Sequence, residues 1–352
     1  MTRITVVGGG AVGSGIAWQA AEAGARVTVV DTMPLRAASW VAGGMLAPVT
    51  EAWPGEEDLL DLGTESLRRW PGFAERLAAQ GQDAGLRTEG TVVAAVDGAD
   101  RDELIRLAEF LGKLDREVTL LTGRELRALE PGLSASVRAG LSVPGDLAVD
   151  NRKLVTALRA AGQAFGVERL AGTVKSVQPG TVTLANGPVL TADVVVVAAG
   201  AWSGQVHPAL ANVVRPVKGE ILRLRARPDS LPPPTRTVRG LVGGRHVYLV
   251  PRDGGHLVVG ATQYEAGFEP GARVSGVRDL LADAEQLLPS VADYHLVETG
   301  VGYRPGTADN LPVVRWLEPG VLAATGHGRN GLLLLPATLA EVAGLLAEGR
   351  IG

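Results

Sequence analysis

Apolar and polar positions change their period repeatedly along this chain, and each change marks an element. Residues 4–7 form an uninterrupted apolar run, a glycine-rich turn and a helix follow, and residues 26–30 are a second apolar run that stops on Asp31. Helical spacing returns at 58–80, 99–114, 124–129, 273–288 and 331–348, and another helix opens at Asp150 or Asn151, two polar capping residues ahead of LVTAL. Extended segments are expected at 90–96, 138–143, 167–170, 172–177, 181–184 and 321–324. Residues 192–204, ADVVVVAAGAWSG, read as a fully buried strand ending in small residues. Ala199, Gly200 and Trp202 then face a ligand at its carboxyl end, or close an ordinary core strand.

Residues 216–225, 238–242, 246–252 and 256–261 alternate or run β-branched with glycine turns between them, which predicts an antiparallel sheet separate from the first unit. The last segments, from 298–307 onward, return to strand–helix character. The expected fold class is α/β: a Rossmann-like nucleotide lobe of residues 1–85, 144–215 and 299–352. Interleaved with it is an α+β lobe of residues 86–143 and 216–298, built on the antiparallel sheet.

Gly8, Gly10 and Gly13 hold the G-x-G-x-x-G spacing directly behind the first strand. Gly8 turns the chain, Gly10 admits a pyrophosphate to the backbone, and Gly13 lets the helix press on the strand. Phosphates then lie on the first amides of the helix, where Ala11 and Val12 stand, and Asp31 accepts both hydroxyls of a ribose. A 2′-phosphate would meet that carboxylate, so the pattern favours an unphosphorylated ribose, as in FAD or NAD.

Composition narrows the chemistry. The chain has 352 residues, room for two lobes with cores of their own, and with 46% hydrophobic and 20% charged residues it reads as soluble and globular. A formal charge of −4 leaves no polybasic footprint, so neither nucleic acid nor an anionic membrane is an expected partner. There is no cysteine, which excludes disulfides, thiol redox chemistry and cysteinyl attachment of a cofactor. The five histidines lack metal-ligand spacing, and no metal is expected. Redox chemistry here must be borrowed from an organic cofactor. The apolar start is interrupted by Gln19, Glu22 and Arg26, which suits a strand–helix–strand unit and not a signal peptide. No stretch is long enough to span a bilayer, and the expected location is the cytoplasm.

Several separated motifs agree with one family. GGGAVGSGIA, GGMLAPVTE, VDNRKLVTAL, VVAAGAWSG, PVKGE, VYLVPR, VVGATQYEAGF, GYRPGTADNLPVV and TGHGRNGLLLLPAT make the chain resemble the D-amino-acid-oxidase-like flavoproteins. Among these it looks most like glycine oxidases of the thiamine-biosynthesis type, over nearly its whole length. The resemblance implies non-covalent FAD, oxidation of the Cα–N bond of a small amino acid, electrons passed to oxygen, and a homo-oligomer. It implies cofactor contacts from Gly8, Gly10, Ala11, Val12, Gly13, Asp31, Gly43, Gly44, Met45, Val174, Ala199, Gly200 and Trp202. At the tail it adds His327, Gly328, Arg329, Asn330, Gly331 and Leu332, where glycine amides near a helix N-terminus approach the pyrimidine end of the flavin.

Arg304 of GYRPGT and Arg329 of GHGRNG stand at element ends, and an arginine fork suits a bidentate grip on a carboxylate as well as it suits a surface ion pair. The resemblance gives the substrate carboxylate to Arg304. Tyr248 turns inward with Val250 if Val247 and Leu249 face the other way, bringing its hydroxyl to the same carboxylate or simply into the core. Met45 resembles the residue lining the flavin face, and is otherwise plain packing. Gly328 and Gln263 depart from the family, which carries a bulky and an apolar residue there. Both changes widen or polarise the pocket, leaving sarcosine, D-alanine and D-proline beside glycine as substrates. The expected chemistry is hydride transfer from Cα of the neutral amine, with no protein base required. The rival readings are a dehydrogenase of the same fold serving a quinone or carrier, an NAD-dependent dehydrogenase, and an inert FAD-binding subunit.

Overall fold

The computed structural model describes residues 1–32 and 37–349; residues 350–352 of the expected first lobe lie outside the described residues. Four consecutive valines, Val194–Val197, form the middle of the first sheet and are buried on both faces, as a central parallel strand requires. Strand order is Val313–Glu318, Val321–Thr325, Val194–Val197, Arg3–Val7, Arg26–Asp31 and Glu168–Ala171. Neighbours run parallel except at the edge, where Val313–Glu318 turns back along Val321–Thr325.

Alternate residues of these strands feed two cores. Val6, Val29 and Val196 pack with helices Ala11–Glu22, Asn151–Ala164 and Leu335–Ala347, while Val7, Val30 and Val197 pack with Val177, Val182 and Leu184. The latter residues belong to a small sheet of Val174–Gln178, Thr181–Leu184 and Val189–Thr191. Asp150 caps the helix Asn151–Ala164, its carboxylate accepting from the amides of Arg152 at 2.9 Å and Lys153 at 3.1 Å. Asp150→Ala is expected to lower unfolding free energy by about 1–2 kcal/mol, read as a lower urea midpoint with unchanged slope.

The second sheet has eight strands, ordered His295–Gly306, Arg215–Arg225, His256–Gly260, Arg245–Arg252, Thr237–Val242, Thr91–Ala95, Ala139–Val143 and Thr119–Thr122. It is antiparallel except where Thr237–Val242 lies parallel to Thr91–Ala95, so the expected antiparallel sheet carries one parallel junction. Residues 299–306, expected in the first lobe, are part of this sheet. They continue a strand paired with Arg215–Arg225 from Arg215 opposite Gly306 to Arg225 opposite His295. Helix Val274–Leu287 covers one face, over Leu222, Leu249 and Val259. Tyr248 and Val250 project from the other face with Ile221, following the alternation read from VYLVPR.

The terminal helix begins at Leu335, not at 331, because Gly328–Asn330 forms a 3₁₀ turn first. Among the described residues no helix is long and apolar enough to cross a membrane.

Candidate cofactor and substrate site

A cavity of about 820 Å³ lies where the carboxyl ends of the first sheet meet the Tyr248 face of the second, a volume typical of buried ligand sites. The first lobe lines it with Gly8, Gly10, Ala11, Val12, Asp31, Ala199, Gly200 and Trp202, and the second sheet with Tyr248 and Arg304. Loops add Gly43, Gly44, Met45, Val174, His327, Gly328, Arg329, Gly331 and Leu332. Gly13 and Asn330, expected at the cofactor, do not line it. A Cβ on Gly13 would run into the carbonyl oxygen of Gly8, so this glycine sets the helix against the strand from behind. Asn330 is buried, and among the described residues its Oδ1 has no partner.

At the nucleotide end Gly8 has φ +107° and donates its amide to Val30 O at 2.8 Å, and a Cβ there would overlap the Ala198 carbonyl. The helix opens at Gly10 without a side-chain cap of its own. Ser39 Oγ accepts the Ala11 amide at 3.1 Å, a contact the sequence pattern did not reveal, and the other first-turn amides remain for an anion. Asp31 is less free than its place in the sequence implied: Arg159 Nη2 lies 3.7 Å from its Oδ2 and donates to Gly9 O at 3.0 Å. Arg169 is close by, its protonation opposed by burial and by the Arg159 charge and favoured by Asp31. Two guanidiniums around one carboxylate weaken the argument that charge alone rejects a phosphorylated ribose.

At the other end Tyr248 and Arg304 lie on glycines. Gly260 stands opposite Tyr248 in the sheet, and a Cβ on Gly260 or Gly43 would strike the phenol ring. A Cβ on Gly219 would strike the Arg304 guanidinium. One Arg304 donor, Nη1, is taken by Thr262 O at 3.3 Å, and the rest of the fork borders the cavity. Burial pushes the Tyr248 hydroxyl up, with the Arg304 charge as the largest opposing influence, so it stays a donor at neutral pH.

Sequence reasoning missed the neighbours of this pair. Arg239 sits opposite Tyr248 in the hairpin and pairs with Glu51 at 2.8 Å, and Glu51 borders the cavity. An arginine inside the apolar strand TVRGLV was the signal. Met45 borders the same space with Sδ 3.9 Å from Arg239 Nη1. Buried Arg252 donates to Gly43 O at 2.5 Å and holds the Gly43–Gly44 loop over the cavity.

Three tail and loop expectations are corrected. Arg329 lines the cavity, yet its Nη2 is committed to the Glu56 carboxylate and to Glu51 O, making it a strut between loops and not a free carboxylate fork. Gln263 is exposed and does not line the cavity. The amides of 328–331 belong to a 3₁₀ turn and its exit, so the helix dipole expected behind them acts from Leu335.

His327 borders the cavity but its Nε2 pairs with Thr338 Oγ1 at 2.9 Å, and burial pushes the imidazole down to about 4. A depressed folded value gives stability that is full above the unfolded value near 6.5 and is lost as pH falls through 4. Unfolding free energy is expected to drop by roughly 3 kcal/mol across that window, and His327→Gln to flatten the slope when urea midpoints are compared at pH 7 and pH 5.

The cradle of Gly8, Gly10 and the open helix start is continuous with the half-buried Tyr248 and Arg304 end of the same cavity, an arrangement that suits a dinucleotide. Residues 3–345 match the DAO family of FAD dependent oxidoreductases. The chain belongs to this family. Glycine oxidase of Geobacillus kaustophilus is 32% identical over 354 residues, covering 97% of this chain and 92% of that protein. A crystal structure of glycine oxidase from that organism aligns with this FAD-dependent oxidoreductase at a TM-score of 0.87 and 31% identity, covering 99% of this chain and 95% of the other. A Rhizobium etli protein whose name makes it the thiamine biosynthesis oxidoreductase ThiO is 34% identical, covering 97% and 95%. The bifunctional protein ThiO/ThiG of Nostoc sp. is 35% identical over 359 residues, and this FAD-dependent oxidoreductase spans 99% of its own length but about half, 53%, of that relative.

Proposed function

We propose that this chain oxidises glycine, and with it sarcosine or small D-amino acids, to the imine and then the 2-oxo acid, which is glyoxylate from glycine, with oxygen reduced to hydrogen peroxide. The observation that carries the reading is the joint seat of Arg304 and Tyr248 at one end of a cavity whose other end is the nucleotide cradle. Arg304 offers a fork and Tyr248 a protonated hydroxyl, and together they fix a carboxylate and therefore the Cα bonded to it. Bound FAD supplies the acceptor for the hydrogen and electron pair leaving Cα and passes the pair to oxygen. The substrate reaches this step with its ammonium proton already shed. Water then adds to the imine carbon and ammonia leaves.

Gly328 supports substrates larger than glycine, since the space where a Cβ would stand holds no atom within 4 Å. Relatives named for thiamine biosynthesis support delivery of the product to thiazole synthesis. We place the enzyme in the cytoplasm and, on the resemblance alone, as a homo-oligomer, the latter read by light scattering.

The deciding experiment is the visible spectrum of the purified protein, taken without air, after glycine, and after air is admitted. Yellow protein bleached by glycine and restored by air is the expected result. Recovery with a quinone but not with air would make it a dehydrogenase, and yellow protein inert to glycine, sarcosine and D-amino acids would overturn the assignment.

A further inference from the structure

The motif PVKGE carries two charges that the proposed chemistry does not use. Along Arg215–Arg225, Gly219 and Ile221 line the cavity, so Lys218 and Glu220 point to the opposite face. Both are fully buried, with Lys218 Nζ 3.4 Å from Glu220 Oε1. A buried ion pair is weak evidence for stability and asks for another reason.

These two groups both bind one segment, residues 262–273. Lys218 Nζ donates to Gly271 O at 2.5 Å and Glu269 Oε2 at 3.0 Å. Glu220 Oε1 accepts the Arg273 amide at 2.8 Å, and its Oε2 accepts Thr262 Oγ1 at 3.2 Å. Main chain completes the clamp: Glu220 N donates to Thr262 Oγ1 at 2.9 Å, Thr262 N to Glu220 O at 3.2 Å, and Lys218 and Tyr264 exchange two bonds at 3.0 and 2.9 Å. Farther along the same segment Tyr303 donates its hydroxyl to Glu269 O at 2.8 Å, one residue before Arg304. Thr262 is thus held through both its amide and its hydroxyl, and its carbonyl is the one that receives Arg304 Nη1.

We infer that Lys218, Glu220 and Thr262 are positioning residues for Arg304: they fix the Thr262 carbonyl so that one guanidinium edge is held there and the remaining donors face the substrate carboxylate. The inference rests on the reading that Arg304 grips that carboxylate. It explains why charge is buried behind the sheet at the strand that seats Arg304. Loosening the clamp leaves the fork present but mobile, which weakens carboxylate binding more than it slows the step at Cα.

The test uses the FAD-loaded enzyme with Thr262→Val, Thr262→Ser, Glu220→Gln and Arg304→Ala. For each, KM and kcat are measured with glycine, the dissociation constant for acetate is read from flavin absorbance, and the melting temperature is recorded. Thr262→Val is expected to raise both KM and the acetate constant roughly five- to tenfold with kcat within about twofold, Glu220→Gln to do the same, and Thr262→Ser to restore the parent values. Should Glu220→Gln fail to fold, Thr262→Val decides alone. A Thr262→Val enzyme that melts lower but keeps the parent KM and acetate constant makes the clamp structural only and overturns the inference. If Arg304→Ala itself leaves KM unchanged, the carboxylate assignment falls first; if Arg304→Ala raises KM while Thr262→Val does not, only the positioning role is lost.

Discussion

Arg304→Ala is expected to raise the KM for glycine about a hundredfold, roughly 3 kcal/mol of lost binding, while the protein stays yellow. The size reflects the group removed. A charge-assisted fork on a half-buried arginine is stronger toward a carboxylate than an exposed pair, and Arg239 cannot replace it because Glu51 already occupies it at 2.8 Å. Tyr248 remains as a single neutral donor, so some binding survives. Arg304→Lys is expected to fall between, since an ammonium restores charge but not the fork. Steady-state kinetics with glycine, together with the ratio of flavin to protein absorbance, separates a substrate effect from loss of cofactor. A parent-like KM would dismiss the assignment.

Gly13→Val is expected to act on the cofactor and not the substrate, leaving protein that purifies colourless or loses FAD at least a hundredfold more readily. The first added carbon already overlaps the Gly8 carbonyl and approaches Ala198 Cβ to 3.3 Å, and backbone cannot rotate aside as a side chain can. Helix and strand must separate, and the amides at Gly10 and Ala11 move with the helix. Gly112→Ala is the control. It lies in the helix Gly98–Lys113 with nothing within 4 Å of the new carbon, and it is expected to stabilise by about 0.5–1 kcal/mol with FAD unaffected. Equilibrium dialysis of FAD against both variants checks the pair, and a fully yellow Gly13→Val protein would remove the close-packing argument.

The nucleotide lobe was legible because its signals are local. Residues 4–31 contain strand, turn, helix, strand and acid without a break, and the run at 194–197 announces burial on both faces by its valines alone. The second sheet was legible as strands but not as an order. Nothing near Thr91–Ala95 states that it will pair in parallel with Thr237–Val242, some 140 residues away. The strand His295–Gly306 was split because its apolar half resembles the strand–helix tail after residue 306, while its exposed first half carries no alternation. At the site, residue types pointed to Arg304 and Tyr248, which line one cavity, but a sequence does not say which arginines are already engaged. Arg329 and Arg159 look as available as Arg304 until Glu56 and Asp31 are found beside them. Gln263 was misplaced because its motif does not show that residues 262–264 are tied to Lys218 and Glu220, away from the cavity.

The glycines under Tyr248 and Arg304 bear on how this enzyme can diverge. At positions 43, 219 and 260 every possible substitution adds atoms where Tyr248 or Arg304 already lies, so drift there displaces those side chains. Position 328 lines the same cavity with open space beyond it, and its φ of +54° admits Asn and Asp at the least backbone cost. A library randomised at 328 is therefore expected to shift substrate preference, whereas one randomised at the other three is expected to lose activity.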